Sequence, residues 1–270
     1  MSKNLKSFKF TKRANKAISR AGWYVLEGKT VNALAGNNTI TGTRNTGDNT
    51  WSDGIVNDGT IITGNGNNTF IGAGKGKAEG EGIGNYGLIK TGRGNDIISG
   101  TCNSDEAADG INNEGKIDVG SGNDRITGAA SGYKKLRPQF GSCSGICNEG
   151  TINTGSGKDI ITGSSPTFEY ATGIDNTGTI NTGSGNDKIV AIGGDDAIYN
   201  TGTIDTGNGN DTIDSTDIEN DTKILTGHGH DIITGKGVLD NDFGSVLSYK
   251  NDLPGVISRL SNIMNSLNLD

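Results

Sequence analysis

The chain has little of what stabilises an ordinary globular domain. Only 31% of its 270 residues are hydrophobic and 5% aromatic, with three prolines and three cysteines. Three cysteines exclude a disulfide framework. Collagen needs glycine at every third place and much proline; here 46 glycines stand against 3 prolines, without that period. No apolar run reaches 18 residues, so no transmembrane helix is expected. The basic N-terminal stretch lacks the apolar segment of a signal peptide, so none is expected there.

Charge is unevenly placed. Seven basic residues (Lys3, Lys6, Lys9, Lys12, Arg13, Lys16, Arg20) and no acid occupy the first 20 positions. The whole chain carries −7; beyond residue 20 it holds 17 basic and 31 acidic groups, or −14. A body this acidic repels nucleic acid and suits cations.

What the chain does have is a repeat. The 18-residue pattern I-x-N-x-G-x-I-x-T-G-x-G-N-D-x-I-x-G recurs seven times, from Ile55, Ile83, Ile111, Ile146, Ile174, Ile198 and Ile218. A half-copy, 31–42, precedes them. Inserts of 10, 10, 17, 10, 6 and 2 residues separate the copies. All length variation therefore falls at one point of the repeat, and one edge is expected to carry loops. Aligned copies give three apolar columns, led by Ile55, Ile61 and Phe70, and an Asn column led by Asn57. Three short β-branched segments per unit, separated by glycine turns, read as three strands. No unit can bury a face alone, but a stack buries continuous Ile columns. The expected fold is an all-β, right-handed parallel β-solenoid of about seven coils. At a strand spacing of about 4.8 Å the coils make a rod of roughly 34 Å. The Asn column reads as a structural ladder. The Thr column (Thr63, Thr91, Thr154, Thr182, Thr206, Thr226) has Val119 in one place, which points to packing.

Six turns have the form G-x-G-x-D and end on Asp96, Asp124, Asp159, Asp187, Asp211 and Asp231. The equivalent earlier turns end on Asn38 and Asn68. In-register stacking places the carboxylates about 5 Å apart, where like charges raise one another's pKa. The paired glycines are Gly92 and Gly94, Gly120 and Gly122, Gly155 and Gly157, Gly183 and Gly185, Gly207 and Gly209, and Gly227 and Gly229. They allow a tight turn that aims carbonyls at one point. Carboxylate and carbonyl oxygens are what a hard cation takes, Ca²⁺ more readily than Mg²⁺. The alternative is that the Asp side chains cap the turns without metal.

These turns resemble the RTX, or haemolysin-type, calcium-binding repeat G-G-x-G-x-D-x-U-x. TGSGNDKIV, 182–190, matches every place but the first. The resemblance implies a β-roll-like fold and several stacked Ca²⁺ ions, held by the six Asp and the glycine carbonyls. It also implies export by type I secretion to an extracellular or cell-surface location, with the cytoplasm as the alternative. Each coil has one such turn rather than two, so calcium is expected along one edge only.

Three domains are expected: a basic cap over 1–30, the solenoid over 31–235, and a tail over 236–270. Segment 7–12 alternates like a strand, and 14–24 suits a short helix. Val256, Ile257, Leu260, Ile263, Met264 and Leu267 fit an amphipathic capping helix. Cys102 and Cys143 fall in consecutive inserts and are candidates to pair, while Cys147 is expected to face outward. His228 and His230 are turn decoration or, alternatively, transition-metal ligands. The longest insert, 129–145, holds Tyr133, Lys134, Lys135, Arg137 and Phe140; Phe168, Tyr170 and Asp105 neighbour it. No catalytic set emerges.

The expected function is a non-catalytic, calcium-binding, exported structural, adhesive or matrix-forming protein. Candidate partners are further copies of the chain, as oligomer or filament, and a polysaccharide or cell surface. An enzyme acting on polysaccharide from the insert edge is one alternative. Ice binding is another, weakened because Thr179 and Asn181 share the outer face of the second strands with Lys90, Lys116 and Asp118.

Overall fold

The computed structural model describes residues 2–47, 50–131, 143–166, 171–194, 196–236 and 245–249. Each coil gives one strand to each of three sheets, and the named strands pair in parallel. In the coil that begins at Ile55 these are Ile55–Asn57 (sheet 1), Thr60–Ile62 (sheet 2) and Thr69–Gly76 (sheet 3). The fold is a parallel β-solenoid, as the repeat requires.

Register follows the apolar columns. Ile55 pairs with Ile83, Ile61 with Ile89 and Phe70 with Ile98, and the pattern continues coil after coil. These side chains are fully buried. Burying one Ile is worth about 1.5–3 kcal/mol, so three columns supply most of the driving force that this apolar-poor chain can muster.

The Asn column is a ladder. Asn57, Asn85, Asn113, Asn148 and Asn176 each donate Nδ2–H to Oδ1 of the next Asn at 2.7 Å, and Asn200 does so to Asn220 at 2.6 Å. Each Nδ2 also reaches a main-chain carbonyl one coil on, as Asn113 does to Thr151 at 3.2 Å. The unpaired atoms fall at the ladder's ends, Oδ1 of Asn57 and Nδ2 of Asn220. Asn57 ends it because its partner in the coil before is Val25.

The N-terminal segment differs from expectation. No helix forms over 14–24: Lys16–Ser19 and Trp23–Val25 are strands, paired to Thr39–Gly42 and Ile55–Asn57. The open edges of the next coil offer a full set of hydrogen bonds, and the Lys16–Ser19 strand buries Ala17 and Ser19 alternately. Segment 7–12 is not a strand; the 3₁₀ turn Leu5–Ser7 precedes it. Leu5 enters the core, with Phe8 and Phe10 packed against it. Residues 3–45 thus form two turns of the stack, the first without a sheet-2 strand, where a separate cap was expected over 1–30.

The inserts also differ. Sheet-3 and sheet-1 strands run on into them, as in Thr69–Gly76 with Gly80–Asn85 and Ile97–Ser104 with Ala108–Asn113. The result is a thin two-layered fin with its own core of Cys102, Ala108, Ala130, Cys143 and Ala171. Small residues let the layers meet: a Cβ on Gly74 would lie 2.0 Å from the carbonyl oxygen of Ser52. Cys102 and Cys143 share this core as free thiols, and Cys147 is half-buried. Residues 133–140, Phe168, Tyr170 and the expected C-terminal helix lie outside the described residues.

Asn148→Ala removes one rung from mid-ladder and leaves Asn113 and Asn176 facing a gap. A buried polar group left unpaired costs about 1–3 kcal/mol, so the unfolding free energy read from urea titration should fall by that amount or more. Asn57→Ala, at the ladder's end, should fall clearly less.

Candidate metal centre

The G-x-G-x-D turns connect sheet 2 to sheet 3. Both glycines sit at positive φ: Gly183 at 91° and Gly185 at 143°, with every other G-x-G-x-D turn alike. Stacking demands glycine a second time. A Cβ on Gly185 would stand 1.4 Å from the carbonyl oxygen of Gly157, one coil away. The turn sequence is therefore fixed by backbone geometry and by close approach together.

The six predicted aspartates come together in one column. Asp96, Asp124, Asp159, Asp187 and Asp211 are at most 2% exposed, while Asp231, in the last of these turns, is half-buried. Their two oxygens have different fates. Oδ1 accepts the backbone N–H of the column residue in the preceding coil: Asp96 N–H gives to Asp124 at 2.7 Å, Asp159 to Asp187 at 2.8 Å and Asp211 to Asp231 at 2.9 Å. One oxygen is thus a turn cap. Oδ2 is buried without a hydrogen-bond partner in all six.

Asn68 shows what that second position faces. Its Oδ1 accepts from Asn38 as the Asp Oδ1 atoms do, at 3.1 Å. Its Nδ2 donates to the carbonyls of Gly66 at 2.7 Å and Gly64 at 3.1 Å, the two glycines of its own turn. Asn38 repeats this with Gly36 at 2.8 Å. Where Asp replaces Asn in the same register, an oxygen takes the place of that amide and meets carbonyl oxygens. Acceptor against acceptor is repulsive unless something positive lies between them, and that is either a proton or a cation.

Burial raises the carboxyls of Asp96, Asp124, Asp159, Asp187 and Asp211, foremost through loss of water. Asp124 is pushed up to about 7, and Asp187 and Asp211 to about 6. The Thr column explains the difference. Thr182 and Thr206 hydroxyls lie beside Asp187 and Asp211 and ease the charge. Their single protons also serve the next coil's main chain, Thr182 reaching the Thr206 carbonyl at 3.0 Å. The coil of Asp124 has Val119 in that place and no hydroxyl to offer.

The chain fits a hard cation in these turns: one orphaned carboxylate oxygen and glycine carbonyls per coil. Among the described residues no three His, Cys, Asp or Glu side chains converge on one point. Any ion here would draw on a single carboxylate per turn and otherwise on the main chain. His228 and His230 lie in the last turn, where His228 bridges to Asn208 and the His230 N–H gives to Asn210 Oδ1 at 2.9 Å.

Two arrangements escaped the sequence reading. The residue before the column Asp, Asn in four of the six turns, forms a second, exposed ladder that Lys158 interrupts: Asn95 N–H gives to Asn67 Oδ1 at 2.9 Å, Asn123 N–H to Asn95 Oδ1 at 2.8 Å and Asn210 N–H to Asn186 Oδ1 at 2.9 Å. Its signal was the N in G-x-G-N-D. The other lies beside the fin, on the outer side of sheet 1. Glu81 is 9% exposed, and its Oε1 accepts from Tyr86 Oη at 2.7 Å and from Asn112 Nδ2 at 2.8 Å. Its carboxylate lies over Gly84, where a Cβ would come within 1.9 Å of Oε2. Burial raises Glu81 and lifts neighbouring Asp109 to about 7. Gly84 was the signal, since Val56, Asn112, Cys147, Asp175 and Tyr199 fill that place in other coils. Burial pushes the nearby Cys102 thiol up to about 12, which disfavours its thiolate.

Folded-state values above the ordinary 3.8 mean that the folded chain holds more protons than the unfolded one. Without metal, the stabilisation is complete below about pH 4 and fades as pH rises towards 7. In chelator, the melting temperature should therefore fall across that window. Asp124→Asn should flatten the slope, on the order of 1–2 kcal/mol after allowance for solvent screening.

No family model matches the chain, and no curated protein or solved structure matches it.

Proposed function

We propose that the protein is a non-catalytic, calcium-binding β-solenoid that acts outside the cell as a structural, adhesive or matrix-forming element. One observation carries the reading: six buried Oδ2 atoms that make no hydrogen bond, the Thr hydroxyls beside four of them being given to main-chain carbonyls, in turns that Asn closes with its own amide. The resemblance of these turns to RTX repeats supports the same ion. Ca²⁺ takes six to eight oxygens in flexible geometry, which suits main-chain carbonyls. Asp96, Asp124, Asp159, Asp187, Asp211 and Asp231 would each offer Oδ2, with carbonyls of the paired glycines. The ion would supply the positive charge that the turn lacks and link each coil to the next. An exported role follows from the resemblance and from the abundance of calcium outside cells.

A second reading draws on Glu81. A buried acid held by Tyr86 and Asn112, near Asp109, has the makings of a general acid or base on polysaccharide. Glu81→Gln should abolish any turnover found on acidic glycans; absence of turnover across such a panel sinks this alternative.

For the leading proposal, thermal melts in chelator and across a Ca²⁺ titration decide. A single site at a hundred times its Kd adds about 2.7 kcal/mol, and several sites add correspondingly more. Calcium should raise the melting temperature strongly and magnesium weakly. Asp159→Asn and Asp187→Asn should each raise stability in chelator at neutral pH and reduce the gain from calcium. A calcium-independent melt would leave the carboxyls to protons and refute the site.

A further inference from the structure

The three faces of the rod differ in chemistry. Sheet 1 carries acids on or beside its outer side, including Asp53, Glu81, Asp109 and Asp175. Sheet 2 turns Lys90, Lys116 and Asp118 outward, linked by ion pairs of 3.5 and 3.8 Å. Sheet 3 is different. Its outward residues fall in three straight columns, of which the first two run Thr39, Thr69, Ile97 and Thr41, Ile71, Ser99 in the early coils. The third runs Thr43, Ala73, Thr101, Ala129 and Ser164. Over the nine strands the charged residues in the first two columns are Lys16, Arg125, Lys188 and Asp214, and Lys188 pairs with Asp214 at 3.0 Å.

Large apolar residues are exposed here more than elsewhere. Ile18, Ile71, Ile97, Ile192 and Ile232, at 39–57% exposure, all stand on this face, and only Leu26, Trp51 and Tyr86 match them on the rest of the described surface. The exposed Asn ladder borders one side of the face, and Asn45, Lys75 and Asn103 the other. The isoleucines are spread along the whole face among Thr and Ser, and apolar area bordered by polar residues is the anatomy of a protein–protein interface.

We propose that sheet 3 is the surface by which two copies of this chain dock face to face. The proposal rests on the reading of the protein as a self-assembling structural element and names the surface that does it. Charge picks the occupant. Two rods with acidic bodies repel through sheet 1, whereas sheet 3 is nearly neutral and meets its own copy without like charges in number. A polyanion would find too few cations there, and the columns contain no aromatic ring for a sugar to stack on. Size agrees. Nine strands at about 4.8 Å and five residues at about 3.3 Å give roughly 700 Å², close to the ~800 Å² per partner of a standard interface. Packed about 10 Å apart, the two sheets would bury the isoleucines, and Thr and Ser hydroxyls would hydrogen-bond across the seam. The arrangement is isologous and closes as a dimer.

Sedimentation velocity on the full chain over a hundredfold concentration range tests this, run with calcium and again in chelator at a temperature where circular dichroism shows the fold intact. The wild type should form a dimer that dissociates on dilution. Ile71→Lys with Ile97→Lys should weaken it at least tenfold, and Thr179→Lys on sheet 2 should leave it unchanged. If the lysine pair unfolds, Ile71→Thr with Ile97→Thr keeps strand preference and should still weaken association severalfold. A monomer at every concentration overturns the proposal, whether or not it shows thermal hysteresis against ice. So does a dimer that the sheet-3 variants leave intact. A dimer without any calcium response would refute the metal reading alone, and a calcium-stabilised monomer would refute the interface alone.

Discussion

Everything in this molecule depends on one constraint: polar groups that point inward must be satisfied by the coil above or below. A solenoid coil of about 20 to 35 residues cannot enclose its own core. It turns inward one Asn, one Thr and one Asp beside three apolar residues, and buries them all. An unpaired buried amide or carboxyl costs more than the hydrogen bond it forms will return. In-register stacking pairs the Asn amides and one oxygen of each Asp with the neighbouring coil, leaving Oδ2 of the Asp column over, so register is set by polar partners as firmly as by the Ile columns. A slip of one residue would break every rung at once.

The same constraint explains the glycines. Each turn must bring its backbone close enough to the next for the Asp Oδ1 to reach the neighbouring N–H, at 2.6–2.9 Å. That closeness leaves no room for a Cβ, as the 1.4 Å approach at Gly185 shows. Glycine content reads as flexibility when composition is counted, yet here it is the condition for rigid stacking. In the fin, Gly, Ala and Cys serve the opposite purpose, letting two thin layers meet without large side chains.

Legibility in the sequence followed from this. Residues that repeat identically were readable because stacking forces identical neighbours: the Ile columns, the Asn57-to-Asn220 ladder and the Asp turns all lie where their spacing placed them. The N-terminal strands were not readable, since Lys16–Ser19 and Trp23–Val25 carry no repeat signature and take strand form only from the edge they meet. The fin was hidden for a related reason. Its strands alternate Gly, Ala, Cys and Ser, too small to register as an apolar face. Burial of the Asp column was half legible. The carboxylates were expected to crowd one another and, as the alternative, to cap the turns, but not to do so with one oxygen and leave the other orphaned.

The order of residues in that column bears on how the rod is built. Asn38 and Asn68 close their turns with their own amides, so the first coils need neither proton nor ion. From Asp96 onward each turn lacks that amide donor. The N-terminal coils are therefore self-sufficient, and beneath them Leu5, Phe8 and Phe10 plug the open end. They present a finished edge to the coils that follow. On the calcium reading, cation-dependent coils would add onto an edge that is already stable without the ion. The switch from Asn to Asp along one column would then mark where a stack held by its own hydrogen bonds becomes a stack held by its surroundings. A chain that met no calcium would keep a template and lose only its growth.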